Sequence, residues 1–228
     1  MPRIFDLSDY HERLTDVHLI VGEGLCSNIY VIGREEACVV DPGVGNYANP
    51  VWPQLEEIGV TPDRLRSVII THAHHDHAMG AFLILQKADP KIFVHTLDTM
   101  YIAARFGPNL VKVEEGNVIE TERWPLDVIW TPGHTEGGIC LYNPEDKVLI
   151  SGDTVFAEAK YGTWYGESGS LDAMMLELAR VFDGHVQSGI KRSLALLEPV
   201  LILFMGFVIA LIIISILMGI LSVNDLAV

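Results

Sequence analysis

Four imidazoles and a carboxylate crowd into the seven residues Thr71-His72-Ala73-His74-His75-Asp76-His77, directly after the apolar run Val68-Ile69-Ile70. Neutral imidazole nitrogens and carboxylate oxygens are the usual zinc ligands where thiolates are absent. An extended or tightly turned backbone sends alternate side chains to one side, so His72 and His74 can grip one metal. Asp76 and His77 fall on the turn that follows, within reach of a second metal or of its water. The bland alternative is a histidine-rich polar surface loop. Against it, the whole chain has nine histidines, and four of them in one short stretch is a strong local excess. Two more segments each set one potential ligand in a Gly-containing turn at the end of an apolar run, where backbone can approach an ion closely. They are Thr131-Pro132-Gly133-His134-Thr135 and Ser151-Gly152-Asp153-Thr154. Taken alone, His134 reads equally as a hydrogen-bonded turn histidine and Asp153 as a helix N-cap. Beside the first cluster both read as ligands.

Strands and short helices must position these groups. Residues 17–21, 29–32 and 37–40 predict a strand series with Gly-bearing turns. A helix is expected over 53–58, ended by Gly59, and another over 78–86 after the histidine cluster. Val68–Ile70 is the strand that delivers the cluster. Residues 92–95, 128–130, 139–142 and 147–150 predict further strands, with Asn143-Pro144-Glu145-Asp146 as a hairpin turn between the last two.

The combined motifs resemble the metallo-β-lactamase superfamily. The match runs through H-x-H-x-D-H at His72, His74, Asp76 and His77, P-G-H-T at Pro132 to Thr135, and G-D-T-V-F at Gly152 to Phe156. Ser27 to Ile32 and Val39-Val40-Asp41-Pro42-Gly43 look like the family's early strand and the next strand with its turn. The resemblance covers about residues 15–160. It implies an α/β (α+β) αββα sandwich, incomplete in its second half here, with a dimetal site at one edge of the two sheets. It also implies that His72, His74 and His134 hold one metal, that Asp76 and His77 hold a second, and that Asp153 bridges them. Zinc is the expected ion, with two per site, and iron or manganese are the alternatives. Two such ions sharing a water lower its pKa towards neutrality and give a hydroxide nucleophile. Asp76 is the expected catalytic group, orienting that nucleophile or carrying a proton to the leaving group. His75 and His95 have no matching role, and His11 and His18 read as surface histidines.

Downstream of Asp153 the pattern changes. Superfamily members supply one more second-site histidine in a G-H turn, and here only Gly184-His185 offers that dipeptide. It lies within a different resemblance. Gly166-Glu167-Ser168-Gly169 and Leu196-Leu197-Glu198-Pro199, followed by a long apolar run, resemble the C-terminal end of the type II secretion and type IV pilus inner-membrane platform proteins, the F family. His185 falls where that family carries an ordinary helix residue. The expected division is therefore a metal hydrolase domain at 1–165 and a secretion-platform-like helical segment at 166–228, with a transmembrane helix at about 199–221. From Val200 to Leu221 no residue is charged, and Ser215 is the one polar side chain. At about 1.5 Å rise per residue, such a run crosses roughly the 30 Å hydrocarbon core. Lys191 and Arg192 flank its N-terminal end, and the positive-inside bias places the catalytic part in the cytoplasm. This predicts a single-pass protein of the inner (plasma) membrane.

Composition narrows the partners. A formal net charge of −15 disfavours nucleic acid, whose phosphates it would repel. The three cysteines, Cys26, Cys38 and Cys140, lie in or beside apolar runs and read as small buried residues in a reducing compartment, not as bridges. A small-molecule substrate is expected, and the bond broken is an ester, thioester or lactone. Glyoxalase-type thioesterases carry a C-terminal helical domain where this chain has its apolar tail. Two other readings stand beside the membrane-anchored hydrolase. One is a structural membrane protein related to secretion or pilus platforms, with components of that machinery as partners. The other is a fused or truncated product whose metal site is inactive.

Overall fold

The computed structural model describes residues 4–155 and, in the apolar tail, residues 204, 205, 207, 209 and 211–214. By its contacts the chain divides into two units, Met1–Ala179 and Arg180–Val228.

In the first unit, alternation of apolar side chains builds a sheet that is buried on both faces. Its strands are β1 (Ile4–Asp6), β2 (Val17–Ile20), β3 (Ile29–Ile32), β4 (Ala37–Val40), β5 (Leu65–Ile70), β6 (Lys91–His95) and β7 (Leu110–Val113), hydrogen-bonded in that order. β1 to β4 pair antiparallel, and β4 to β7 pair parallel. Ala37, Val39, Val68 and Ile70 face one core, and Cys38, Val40 and Ile69 face the other. This is the period-two consequence of extended backbone, and it explains why the central strands read as continuous apolar runs.

The first core is closed by helices α1 (Val51–Glu57), α3 (Gly80–Ile84) and α4 (Thr99–Phe106) through Val51, Leu55, Ile84, Ile102 and Phe106. The second is closed by a four-stranded antiparallel sheet: β8 (Val118–Glu120), β9 (Pro125–Trp130), β10 (Ile139–Asn143) and β11 (Val148–Ile150), in the order β11-β10-β9-β8. Trp124, Leu126, Val128, Ile139, Leu141 and Ile150 supply its inner face. The result is a helix–sheet–sheet stack. A helical layer over the outer face of the smaller sheet is not among the described residues.

The helix expected over 78–86 is instead two short pieces, α2 (His75–Ala78) and α3, and α2 starts inside the histidine cluster. Close backbone approach is the reason. Gly80 N–H donates to the Gly43 carbonyl at 2.7 Å, and a Cβ at Gly80 would collide with the Pro42 carbonyl. α1 begins two residues before the expected start, immediately after Pro50. Strands β1, β7 and β8 and helix α4 lie in stretches where no element was expected. β1 and β8 are three residues each, too short to show a period.

The described tail residues are helical, and Phe204, Met205, Phe207, Ile209 and Leu211 to Ile214 are exposed. Among the described residues no helix is long and apolar enough to cross a membrane. Most of the expected span at 199–221, the segment from 166 onward that precedes it, and His185 lie outside the described residues.

Candidate metal centre

The C-terminal ends of β4, β5 and β6 and the turns after β9 and β11 meet at one edge of the stack. Ligands of open α/β sheets collect at such carboxyl ends. β5 stops at Ile70, and Thr71 is tied at once to Asp41 at the end of β4. Thr71 N–H donates to Asp41 Oδ1 at 2.8 Å, and its hydroxyl donates to Oδ2 at 2.7 Å. The same Oδ2 lies 2.9 Å from His77 Nδ1. One buried carboxylate therefore holds both ends of the histidine loop.

Asp41 also sets tautomers. Thr71 Oγ1 gives its proton to Asp41, so at 3.1 Å from His72 Nδ1 it accepts that nitrogen's proton. His72 Nε2 is left as a bare lone pair, buried and without a hydrogen-bond partner among the described residues. His77 donates Nδ1–H to Asp41, which turns its Nε2 to Asp153 Oδ1 at 3.2 Å and Asp76 Oδ2 at 3.6 Å. A ligand nitrogen aimed by a hydrogen bond on the ring's other nitrogen is the usual arrangement around a metal.

The other two loops close on this pair. His134 Nε2 lies 2.9 Å from His74 Nδ1 and 3.3 Å from Asp153 Oδ2, and His134 Nδ1 is buried with no hydrogen-bond partner among the described residues. The rings of His72, His74 and His134 pack edge-on with centroids 4.6 to 4.7 Å apart. Among the described residues, two triplets have their ligand atoms within 4.8 Å of one another: His72, His74 and His134, and His72, His77 and Asp153. Either could hold a metal ion. Asp76, expected beside His77, belongs to neither triplet and is partly exposed at the margin.

Burial and charge sort these groups. Burial, reinforced by the neighbouring imidazoles, holds His72 well below the usual histidine range. His74 and His134 are lowered mainly by burial, against the pull of nearby carboxylates. Burial also opposes the charge on His77, but Asp41 and Asp153 together outweigh it and push that imidazole up to about 10. Asp153 is pulled down because His77, His134 and His74 overcome its own burial. A pocket with three neutral histidine donors beside a carboxylate–imidazole pair is chemistry suited to a borderline cation with N and O ligands.

Asp98, which the sequence does not flag, is fully buried between the two histidine loops. Its Oδ2 accepts from Ala73 N–H at 2.7 Å and from the Thr135 hydroxyl at 3.1 Å, and its Oδ1 accepts from Gly137 N–H at 2.8 Å. It staples the His72–His74 segment to the loop bearing His134. Its one sequence cue is a carboxylate just beyond the apolar strand β6. Gly152 has a φ of +50°, and a Cβ there would lie 2.6 Å from Thr71 Oγ1, so only glycine lets the Asp153 turn sit against the cluster.

The remaining described histidines fall outside the triplets. His75 is exposed, His95 ends β6 and stacks on Trp130, His11 is exposed, and His18 lies 3.8 Å from Asp6. Cys26, Cys38 and Cys140 are all free. Two cavities flank the centre. One of about 380 Å³ opens beside His74 and His134, and one of about 530 Å³ lies beside Asp76, His77 and Asp153.

Residues 22–188 match the profile of the metallo-beta-lactamase superfamily, and residues 165–219 match that of type II secretion system protein F. Among similar proteins, a hydroxyacylglutathione hydrolase of Synechococcus sp. (strain JA-3-3Ab) is 33% identical over 166 residues, 69% of this chain and 62% of that protein. A second, from Synechococcus sp. (strain JA-2-3B'a(2-13)), is 34% identical over 155 residues, 65% of this chain and 58% of that protein. The chain thus spans about six-tenths of the length of these relatives. A metallo-beta-lactamase family protein of Thermus thermophilus superposes with a TM-score of 0.58 at 20% identity, covering 72% of this chain and 69% of that one.

Proposed function

We propose that this chain, which belongs to the metallo-beta-lactamase superfamily, is a metal-dependent hydrolase of an ester, thioester or lactone, tethered to a membrane by its apolar tail. The observation that carries the reading is the buried, unpartnered His72 Nε2 facing His74, His77 and His134. A lone pair left unsatisfied in a protein interior costs about 1–3 kcal/mol, and an ion removes that cost. Zinc suits the donors best, while iron and manganese accept the same atoms.

His72, His74 and His134 would hold one ion and His77 a second, with Asp153, whose Oδ2 faces His134 and whose Oδ1 faces His77, standing between the two sets. Asp76 would complete the second set or handle protons. Zinc held there would supply an activated water and a positive charge beside the scissile carbonyl. The chain's own residues do the rest. Asp41 fixes the His77 ring, Thr71 fixes His72, and Asp98 holds the two histidine loops at their working separation. Asp76, exposed to the cavity at the margin, is free to carry a proton to the leaving oxygen or sulfur. The similarity to hydroxyacylglutathione hydrolases favours a thioester among the three bond types.

A panel of thioesters, aryl esters and lactones, assayed before and after chelation and after zinc is restored, tests the reaction class. Activity that vanishes on chelation and returns with metal supports it. Chelator-resistant turnover would sink it. Asp76→Asn is expected to lower turnover by on the order of 10²–10⁴ while metal stays bound at the three-histidine set.

The membrane tether rests on the uncharged run from Val200 to Leu221 and on the exposed aliphatic side chains of its helical residues. Full-length protein that resists carbonate extraction from inner membranes, with residues 1–165 protected from protease added outside the cell, is the expected result. Complete release into the carbonate supernatant would contradict it. The protein F match also favours association with a secretion platform, and co-purification of platform components would support that second reading.

A further inference from the structure

We propose that the cavity of about 380 Å³ beside His74 and His134 is an acyl pocket for an apolar chain whose far end carries a carboxylate, received by Arg105. This deepens, and rests on, the hydrolytic reading above. Ala78, Met79, Phe82, Tyr101 and Ile102 form its apolar walls, and His74 and His134 form the end at the metal-ligand set. A volume of that size is in the range that encloses small-molecule ligands, roughly 300–1,000 Å³.

Arg105 stands on α4 with its guanidinium carbon 5.1 Å from the centre of the Phe82 ring, and Nη1 donates to Met79 Sδ at 3.9 Å. The contact with the ring leaves the other donors of the fork for a ligand. The chain carries 30 carboxylate side chains against 15 lysines and arginines, so a cation has ample opportunity to pair. Arg34, Arg64, Arg66 and Arg123 do so. Arg105 pairs with no carboxylate of the described residues. The acidic groups lining the same cavity do not substitute for a ligand. Asp98 already accepts from Ala73, Thr135 and Gly137, and Glu136, exposed as Arg105 itself is, forms no ion pair with it. Arg105 lines the same cavity as His74 and His134. Arginine meets a carboxylate with two parallel hydrogen bonds, the geometry best matched to that end group.

The test is calorimetric titration of the full-length, zinc-loaded protein in detergent with the α,ω-dicarboxylates from succinate to suberate, against monocarboxylates of equal chain length. One carboxylate stands in for the hydrolysis product at the histidine end. At the length that spans the pocket, the dicarboxylate is expected to bind about tenfold more tightly, worth ~1.4 kcal/mol. Arg105→Gln should erase that preference and leave monocarboxylate affinity unchanged, and Arg105→Lys should restore part of it. Equal binding of the two series at every length, or a preference that survives Arg105→Gln, would overturn the proposal. Because the readout is binding, a protein that shows the preference yet cleaves no ester would refute the hydrolytic reading and leave the pocket standing.

Discussion

Asp41 and Asp98 shape the centre without lining up as ligands, and each supports a prediction at the scale of single atoms. Asp98 accepts three hydrogen bonds from donors on both histidine loops. Asn would present an amide N–H₂ to at least one of those donors, leaving a buried N–H or O–H unsatisfied. Asp98→Asn is therefore expected to cost about 1–3 kcal/mol, read as a lowered thermal midpoint, with weaker binding of the ion shared by His74 and His134. An unchanged midpoint and metal affinity would mean the staple does not matter. His77, held by Asp41, supports a pH prediction in the metal-free protein. Its pKa rises on folding to about 10, so the stabilisation from its ion pairs with Asp41 and Asp153 is complete below the unfolded value near 6.5. It is lost as pH climbs through about 10. Denaturant titrations at intervals across that window should show stability falling with pH, and His77→Gln should flatten the slope. The same proton competes with metal at His77, so affinity at the second triplet should rise with pH over that range.

At the scale of elements, the strands explain why the cluster works at all. β4, β5 and β6 run parallel and end together, so Asp41, the Thr71–His77 loop and Asp98 arrive at one edge. β9 and β11 bring His134 and Asp153 to meet them. The glycine at the end of β11 is the tightest fit. Gly152→Ala would press a methyl group against Thr71 Oγ1 in a left-handed backbone conformation. We expect a loss of about 1–3 kcal/mol and a displaced Asp153, checked by denaturation and metal titration. A fully stable, metal-replete Gly152→Ala protein would count against this packing.

Much of this element layout was legible in the sequence, because central strands buried on both faces are continuous apolar runs. Residues 29–32 and 37–40 begin and end where expected. The three-residue edge strands β1 and β8 were not legible, since so few residues carry no periodicity. α4 was missed as well. It has no side-chain cap and lies in a stretch with no turn punctuation before Gly107. The six ligand-type residues stood out because histidine and aspartate are rare together at that spacing. Asp41 and Asp98 did not, because a carboxylate acting through a histidine or a backbone N–H leaves no motif. The placing of Asp76 outside both triplets depends on where α2 starts, which composition alone does not reveal.

At the scale of the whole molecule, the chain joins a metal-ligating fold to an apolar tail, and the superfamily and protein F matches overlap at residues 165–188. His185 lies in that overlap. If the tail follows the protein F pattern there, His185→Ala should leave metal content and turnover unchanged. If it completes the metal site, the variant should lose the second ion. The dimetal reading turns on Asp153, whose Oδ1 lies 3.2 Å from His77 Nε2 and whose Oδ2 lies 3.3 Å from His134 Nε2. Metal content of the full-length protein in detergent, measured by elemental analysis after zinc loading, decides that point. Two equivalents are predicted for the unmodified chain, and about one for His72→Ala, His74→Ala, His77→Ala or Asp153→Ala. Two equivalents retained by Asp153→Ala, or none bound by the unmodified chain, would contradict it.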